Sequence, residues 1–173
     1  MIDILAGQIK LVALSRQQLA WLLDEPERLE EELGIPVSRR VITDRVRRAI
    51  RRKLTKMDLA NTEDHAWYTY WLIQVNGTFG AGLVGFKGVP DQNGEVEIGY
   101  GIDPLYQGRG YTTGAVHVLL EWAFQHPACQ SVIAPGTLRT NPASNRVLEK
   151  VGMHVYQETP DALSWRITRQ EFI

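Results

Sequence analysis

At 173 residues, 44% of them apolar, the chain has the size and composition of one globular domain, residues 1–173, with an ordinary core. Its net charge of −1 provides no overall positive field, which argues against nucleic acid and membrane surfaces as partners. The lone cysteine, Cys129, excludes an internal disulfide framework, no basic stretch precedes the apolar residues of the N-terminus, and no run reaches a membrane span, so the expected setting is cytoplasmic.

Alternation over residues 8–14 predicts a first strand, and Ser15 is placed to cap a helix over 16–23. Residues 24–60 are helical in character. An acidic stretch at 27–33 is interrupted by Gly34-Ile35-Pro36, and residues 44–59 then carry Val46, Ala49, Ile50, Leu54 and Met57 at helical spacing. Three strands follow at 67–75, 79–87 and 95–102. Asn76-Gly77 is a hairpin signal between the first two, and 90–94 has the composition of a longer turn, so this part reads as an antiparallel meander. Beyond it come a helix at 112–125, a strand at 131–137, a helix at 142–151, and two strands at 154–158 and 163–167. The chain is therefore mixed α/β, with a βαβ crossover in its second half.

Gln107-Gly108-Arg109-Gly110-Tyr111-Thr112 lies between the strand at 95–102 and the helix at 112–125. Two glycines in a strand-to-helix turn let main-chain N–H groups converge on an anion at the positive end of the helix. The P-loop requires Gly-Lys-Ser/Thr, which does not occur here, and the dinucleotide fingerprint requires an earlier strand and an acidic residue about twenty positions on. A nicotinamide dinucleotide enzyme is thus the weaker reading. The pattern Gln/Arg-x-x-Gly-x-Gly/Ala fits better, through Gln107 and Gly110, with Thr112 in the last position.

That pattern is the coenzyme A pyrophosphate loop of the GNAT N-acetyltransferase superfamily, and a second segment strengthens the resemblance. Asn141-Pro142-Ala143-Ser144-Asn145-Arg146-Val147-Leu148-Glu149-Lys150-Val151-Gly152-Met153 resembles the Asn-x-x-Ser-x-x-x-x-x-Lys-x-Gly-Phe signature, especially that of the ribosomal-protein N-terminal acetyltransferase branch. Independently of any family, Pro142 suits a first helical turn with Asn141 as its cap, and Gly152 suits its end. The resemblance covers roughly residues 95–173. It implies a twisted mixed sheet of six to seven strands with helices on both faces, and acetyl-CoA as cosubstrate in a cleft where two strands splay. It further implies that Gln107, Gly108, Arg109, Gly110, Tyr111 and Thr112 contact the pyrophosphate, that Asn141 contacts the pantetheine arm, and that a main-chain N–H near Tyr100 to Ile102 polarises the carbonyl. Leu148 stands where many members have a tyrosine general acid, so the usual proton donor is missing.

Transfer to an amine needs a base, carbonyl polarisation and help for the departing thiolate. Glu97, half-buried in its strand, is the candidate base, although Glu95 shares its face and both suit a solvated side of the sheet. Ser144 is the candidate acid, with hydrogen bonding at the helix N-terminus as its plainer role. Cys129 reads as a buried, inert thiol, and His65, His117, His126 and His154 have no spacing that suggests a metal site. The run Arg45, Arg47, Arg48, Arg51, Arg52, Lys53 and Lys56 reads first as a solvated helix face and second as recognition of an acidic partner or of coenzyme phosphate. The rings of residues 67–71 read as core, with one or two of them, or Trp21, in the acceptor wall. The expected function is acetyl-CoA-dependent N-acetyl transfer by direct attack, to a small-molecule amine or a protein N-terminus, in a monomer or homodimer without metal. The rival is a non-catalytic acyl-CoA-binding module.

Overall fold

In the computed structural model, which describes residues 2–172, the chain begins with strands β1 (Asp3–Ala6) and β2 (Ile9–Ala13) and helices α1 (Arg16–Asp24), α2 (Pro26–Leu33) and α3 (Asp44–Leu59). A 3-10 turn and the short helix α4 (His65–Tyr68) lead into β3 (Trp71–Val75), β4 (Phe79–Phe86) and β5 (Glu95–Ile102). Next are α5 (Tyr111–Phe124), β6 (Ser131–Leu138), α6 (Pro142–Lys150), β7 (His154–Glu158), β8 (Ala162–Thr168) and α7 (Arg169–Phe172). One sheet of eight described strands results, in the order β1-β2-β3-β4-β5-β6-β8-β7.

The mixed α/β architecture expected from the sequence is present, with one strand more than expected. The extra strand is β1, which folds back on β2 with Ala6 opposite Ile9. Four residues are too few for a period to register. A second difference is at residues 67–70, expected as strand. There the chain forms α4 before entering β3 at Trp71, because a run of rings satisfies a core from either geometry. The Asn76-Gly77 hairpin forms as its composition requires, with φ of 52° and 67° at the two residues.

Strict alternation sends the strands' side chains to two cores. Ile9, Leu11, Trp71 and Ile73 face α5, where Trp67, Phe86 and Trp122 join them, while Val12 and Leu72 face Leu19, Leu29, Ile50 and Met57 of α1 to α3. Ser15 closes a capping box with Gln18 at the start of α1, as its position predicts. Lys53 is buried, donating from Nζ to the carbonyls of Tyr68, Thr69 and Phe86 at 3.0, 3.3 and 2.6 Å and lying over the Tyr70 ring. It ties α3 to the end of α4 and to the end of β4.

The feature that positions the site is the parting of β5 from β6. Their parallel pairing is confined to Glu95–Ser131, Val96–Val132 and Glu97–Ile133. Beyond that point β5 stays in register with β4 through Gly82 opposite Ile102, while β6 follows β8. Pro135 lacks an N–H, Gly136 has φ of 66°, and the β6–β8 register shifts between Ala134 and Thr137. The β4–β5 register runs without a shift, so the irregularity beside the parting lies in β6. At Gly82 a Cβ would sit 2.6 Å from the Gly101 carbonyl oxygen, so glycine there allows β4 to approach β5 closely.

Candidate donor and acceptor clefts

Two depressions flank the parting strands. The first, of about 300 Å³, lies between the turn after β5 and helix α6, and is lined by Gln107, Gly108, Gly110, Tyr111, Thr112 and Thr113 on one side and Asn141, Ser144, Arg146, Val147 and Lys150 on the other. The second, of about 760 Å³, lies between α3 and the β5–β6 notch and contains Glu97 and Tyr70. Tyr100, Gly101, Ile102, Gln107, Asn141 and Ser144 belong to both linings. The depressions therefore meet at the end of β5.

The turn is shaped for an anion. Gly108 and Gly110 have φ of 73° and 81°, and Gly110 is the N-cap of α5. The N–H groups of Tyr111, Thr112 and Thr113 have no carbonyl behind them in the helix, and no side chain caps this end. A Cβ added at Gly108 or Gly110 would meet nothing within 4 Å, so the turn presents an open cradle of the kind a diphosphate fills. Arg146 and Lys150, one helical turn apart on α6, add positive charge to the same cavity. Sequence reasoning missed both, although their spacing of four on a helix that follows Asn141 was the available signal. Arg109 is placed differently, with its guanidinium 5.6 Å from the centroid of Tyr106 and outside the lining of the cavity.

The turn is held from behind. Asp103, buried at the end of β5, accepts from Ser38 Oγ at 2.6 Å and from the Leu105 N–H at 2.9 Å, and its own N–H donates to Ala81. The Ser38 hydrogen bond leads in holding its carboxyl below the usual range, helped by the Leu105 amide and the nearby Arg40 against the opposing effect of desolvation.

At the junction, the Tyr100 hydroxyl is 2.9 Å from Ser144 Oγ and 3.1 Å from the Ser144 carbonyl. Burial pushes the Tyr100 phenol up to about 12, opposed by the Ser144 hydrogen bond. Tyr100 was not singled out from sequence, since its partner is 44 positions away. Asn141 spends its Oδ1 on the Ser144 N–H at 3.1 Å, capping α6. Leu148 is fully buried in the core and faces neither cleft. Glu97 points into the second cleft and forms an ion pair with Lys87.

Other expected residues fall elsewhere. Tyr70 is the one ring of residues 67–71 that lines the second cleft, whereas Trp67 and Trp71 pack on Trp122 in the core, one tilted and the other edge-on. Trp21 lies under Arg28 and against the α1–α3 core, away from both clefts. Cys129 is buried, with its thiol pushed up to about 11 by burial against the opposing charge of Arg169, consistent with an inert thiol.

A strand, an uncapped glycine turn at a helix start, and a parted parallel pair beside it define an α/β protein with two adjoining clefts, one of them suited to a phosphorylated ligand. A family model described as an acetyltransferase (GNAT) domain matches residues 17–154, and the chain belongs to that family. Two curated Bacillus subtilis (strain 168) proteins are similar in part. The uncharacterized N-acetyltransferase YjdG is 30% identical over 84 residues, 49% of each chain, and the probable N-acetyltransferase YjcK is 40% identical over 57 residues, 33% of this chain and 31% of its own. The chain thus spans about half the length of the first and about a third of the second. Among solved structures, the ribosomal-protein-S5-alanine acetyltransferase from Vibrio fischeri superposes with a TM-score of 0.69 at 15% identity, covering 100% of both chains. A RimL ribosomal L7/L12 alpha-N-protein acetyltransferase in complex with coenzyme A gives 0.66 at 15%, covering 96% and 98%. A spermidine N-acetyltransferase SpeG chimera from Vibrio cholerae and hSSAT gives 0.64 at 17%, covering 96% and 98%. At such identities the likeness is one of fold.

Proposed function

We propose that the chain, acting as one unit over residues 1–173, is an acetyl-CoA-dependent N-acetyltransferase that joins an acetyl group to a primary amine by direct attack. The observation that carries this reading is the meeting of the anion-binding cavity with a second cleft at Tyr100, Ile102 and Ser144. In it, main-chain N–H groups of residues 108–113 hold the diphosphate of the coenzyme, and Arg146 and Lys150 balance its charge. Acetyl-CoA supplies an activated thioester whose sulfur leaves as a thiolate. The β5 edge beyond Glu97, free of β6, offers main-chain N–H groups near Ile102 to orient a carbonyl.

Glu97 is the candidate base of the second cleft, with Lys87 on Oε1 and its Oε2 left to accept a proton. For the leaving sulfur, the geometry favours a pair, Tyr100 with Ser144, over Ser144 alone. A phenol that burial pushes up to about 12 is a weaker acid than a thiol, for which cysteine's reference value is about 8.5, so Tyr100 does not protonate the departing thiolate. The pair acts instead by a hydrogen bond to the sulfur from one hydroxyl, which the other supports by donating to it.

The test is a mass-spectrometric screen of peptides and small amines with acetyl-CoA, run beside calorimetry of coenzyme binding. Amide formation on some acceptor is the expected result. Tight coenzyme binding without transfer to any acceptor would make the chain a binding module.

A further inference from the structure

The second cleft is walled by Arg40, Arg45, Arg48, Arg52 and Lys87, and Glu97 is the one carboxylate in its lining among the described residues. Elsewhere on the surface Arg16, Arg39, Arg139 and Arg166 each have an acidic partner. Among the described residues no carboxylate lies within ion-pair reach of Arg40, Arg45, Arg48 or Arg52, and Lys87 is engaged only with Glu97. This concentration occurs in a chain whose net charge is −1. Arg45, Arg48 and Arg52 stand three and four residues apart on α3, where like charges destabilise a helix. Among the described residues no ion pair offsets that repulsion, so a ligand of opposite charge is its natural complement.

The layout also specifies the ligand's form. Arg45 and Arg52 are separated by seven helical steps, or about 10 Å along α3. A single carboxylate balances only one of the three charges along that row. An extended chain advances about 3.3 Å per residue, so a short run of acidic residues spans the row. We propose that the acceptor is the N-terminal segment of an acidic peptide or protein, its α-amine at Glu97 and Tyr100 and its following carboxylates along Arg45, Arg48 and Arg52. The inference rests on the acceptor-cleft reading above. A polyamine would meet four arginines, a lysine and a single carboxylate, and is disfavoured.

The test uses binding to the full chain, read by fluorescence anisotropy, so that it stands apart from turnover. The probes are a labelled short peptide with a free α-amine followed by glutamates, its glutamine and lysine counterparts, and unlabelled spermidine and glutamate as competitors. The glutamate peptide is expected to bind at least about tenfold more tightly than the glutamine peptide, with a preference that falls as salt rises. The double variant Arg48→Glu, Arg52→Glu should abolish that preference. The double variant Arg47→Glu, Arg51→Glu, which changes charge equally on the same helix outside the cleft, should keep most of it. Equal binding of all three peptides, preference for the lysine peptide or spermidine, displacement by free glutamate as readily as by the peptide, or equal loss in both double variants would each overturn the proposal. Selective binding of the acidic peptide with no acetyl transfer to any amine would leave the cleft as an acidic-peptide site and refute both the proposed reaction and the peptide's role as acceptor.

Discussion

Replacing Gly110 with alanine separates the two jobs of the turn. Gly110 holds φ of 81° and ψ of −4° at the start of α5, a conformation that costs an L-residue about 1–2 kcal/mol. The new methyl would meet nothing within 4 Å, so the turn can keep its shape and the stability loss is that strain alone. For a chain of this length the melting temperature should fall by about 2–8 °C. On the proposed reading binding should suffer separately, because the methyl occupies open space at the N-cap beside the N–H groups of Tyr111 to Thr113 that would receive the diphosphate. Losing one charge-assisted hydrogen bond costs about 1.5–3 kcal/mol, which is about 10- to 150-fold in Kd. Gly77→Ala is the control: φ is 67°, nothing lies within 4 Å of the added Cβ, and the hairpin tip is not in the donor cavity. Calorimetric titration with acetyl-CoA and thermal melts should show both variants destabilised alike and only Gly110→Ala weakened in binding. An acetyl-CoA Kd unchanged in Gly110→Ala, with the melting loss present, would remove the turn from the site.

Three further outcomes are expected. Glu97→Gln should lower kcat/KM and flatten its acid limb, while an unaltered pH profile would reduce Glu97 to a partner of Lys87. Tyr100→Phe should cut kcat by about 10- to 100-fold while leaving the acetyl-CoA Kd within a few fold, measured by single-turnover and equilibrium titration; an unaffected kcat would leave the phenol a packing group. Burial of Lys53, with lesser effects from Lys56 and Lys87, pushes its ammonium from 10.5 down to about 7. Between those values the unfolded chain holds the extra proton, so stability should rise with pH across that window, by less than the shift alone implies because three carbonyls favour the ammonium. Urea titrations should show the rise in the wild type and its absence in Lys53→Met, and a wild-type profile flat from pH 7 to 10 would contradict it.

What the sequence disclosed and what it withheld divide along the range of the interactions. The glycine turn before α5 was legible because Gly108 and Gly110 encode positive φ locally, and α3 because its apolar period repeats over four turns. The Asn76-Gly77 hairpin is equally local. The stretch around Trp67 to Tyr70 misled because rings in a short helix and rings in a strand bury equally well. The parting of β5 from β6 depends on which strand each continues beside, and the Tyr100–Ser144 contact joins residues 44 apart. The arginine row was visible as charge, but only the packing of Ile50 and Met57 under α3 turns Arg45, Arg48 and Arg52 into the cleft while Arg47 and Arg51 stay outside it.

The most direct measurement of the central claim is the balance of acetyl groups during turnover with a primary amine acceptor. Free CoA thiol, acetylated acceptor and the intact mass of the protein would be followed together. The account predicts one thiol released per amide formed, with no acetylated form of the chain at any time. Thiol release without an acetylated amine, or an acetyl adduct on Ser144 or Cys129 that forms and decays at the turnover rate, would contradict it.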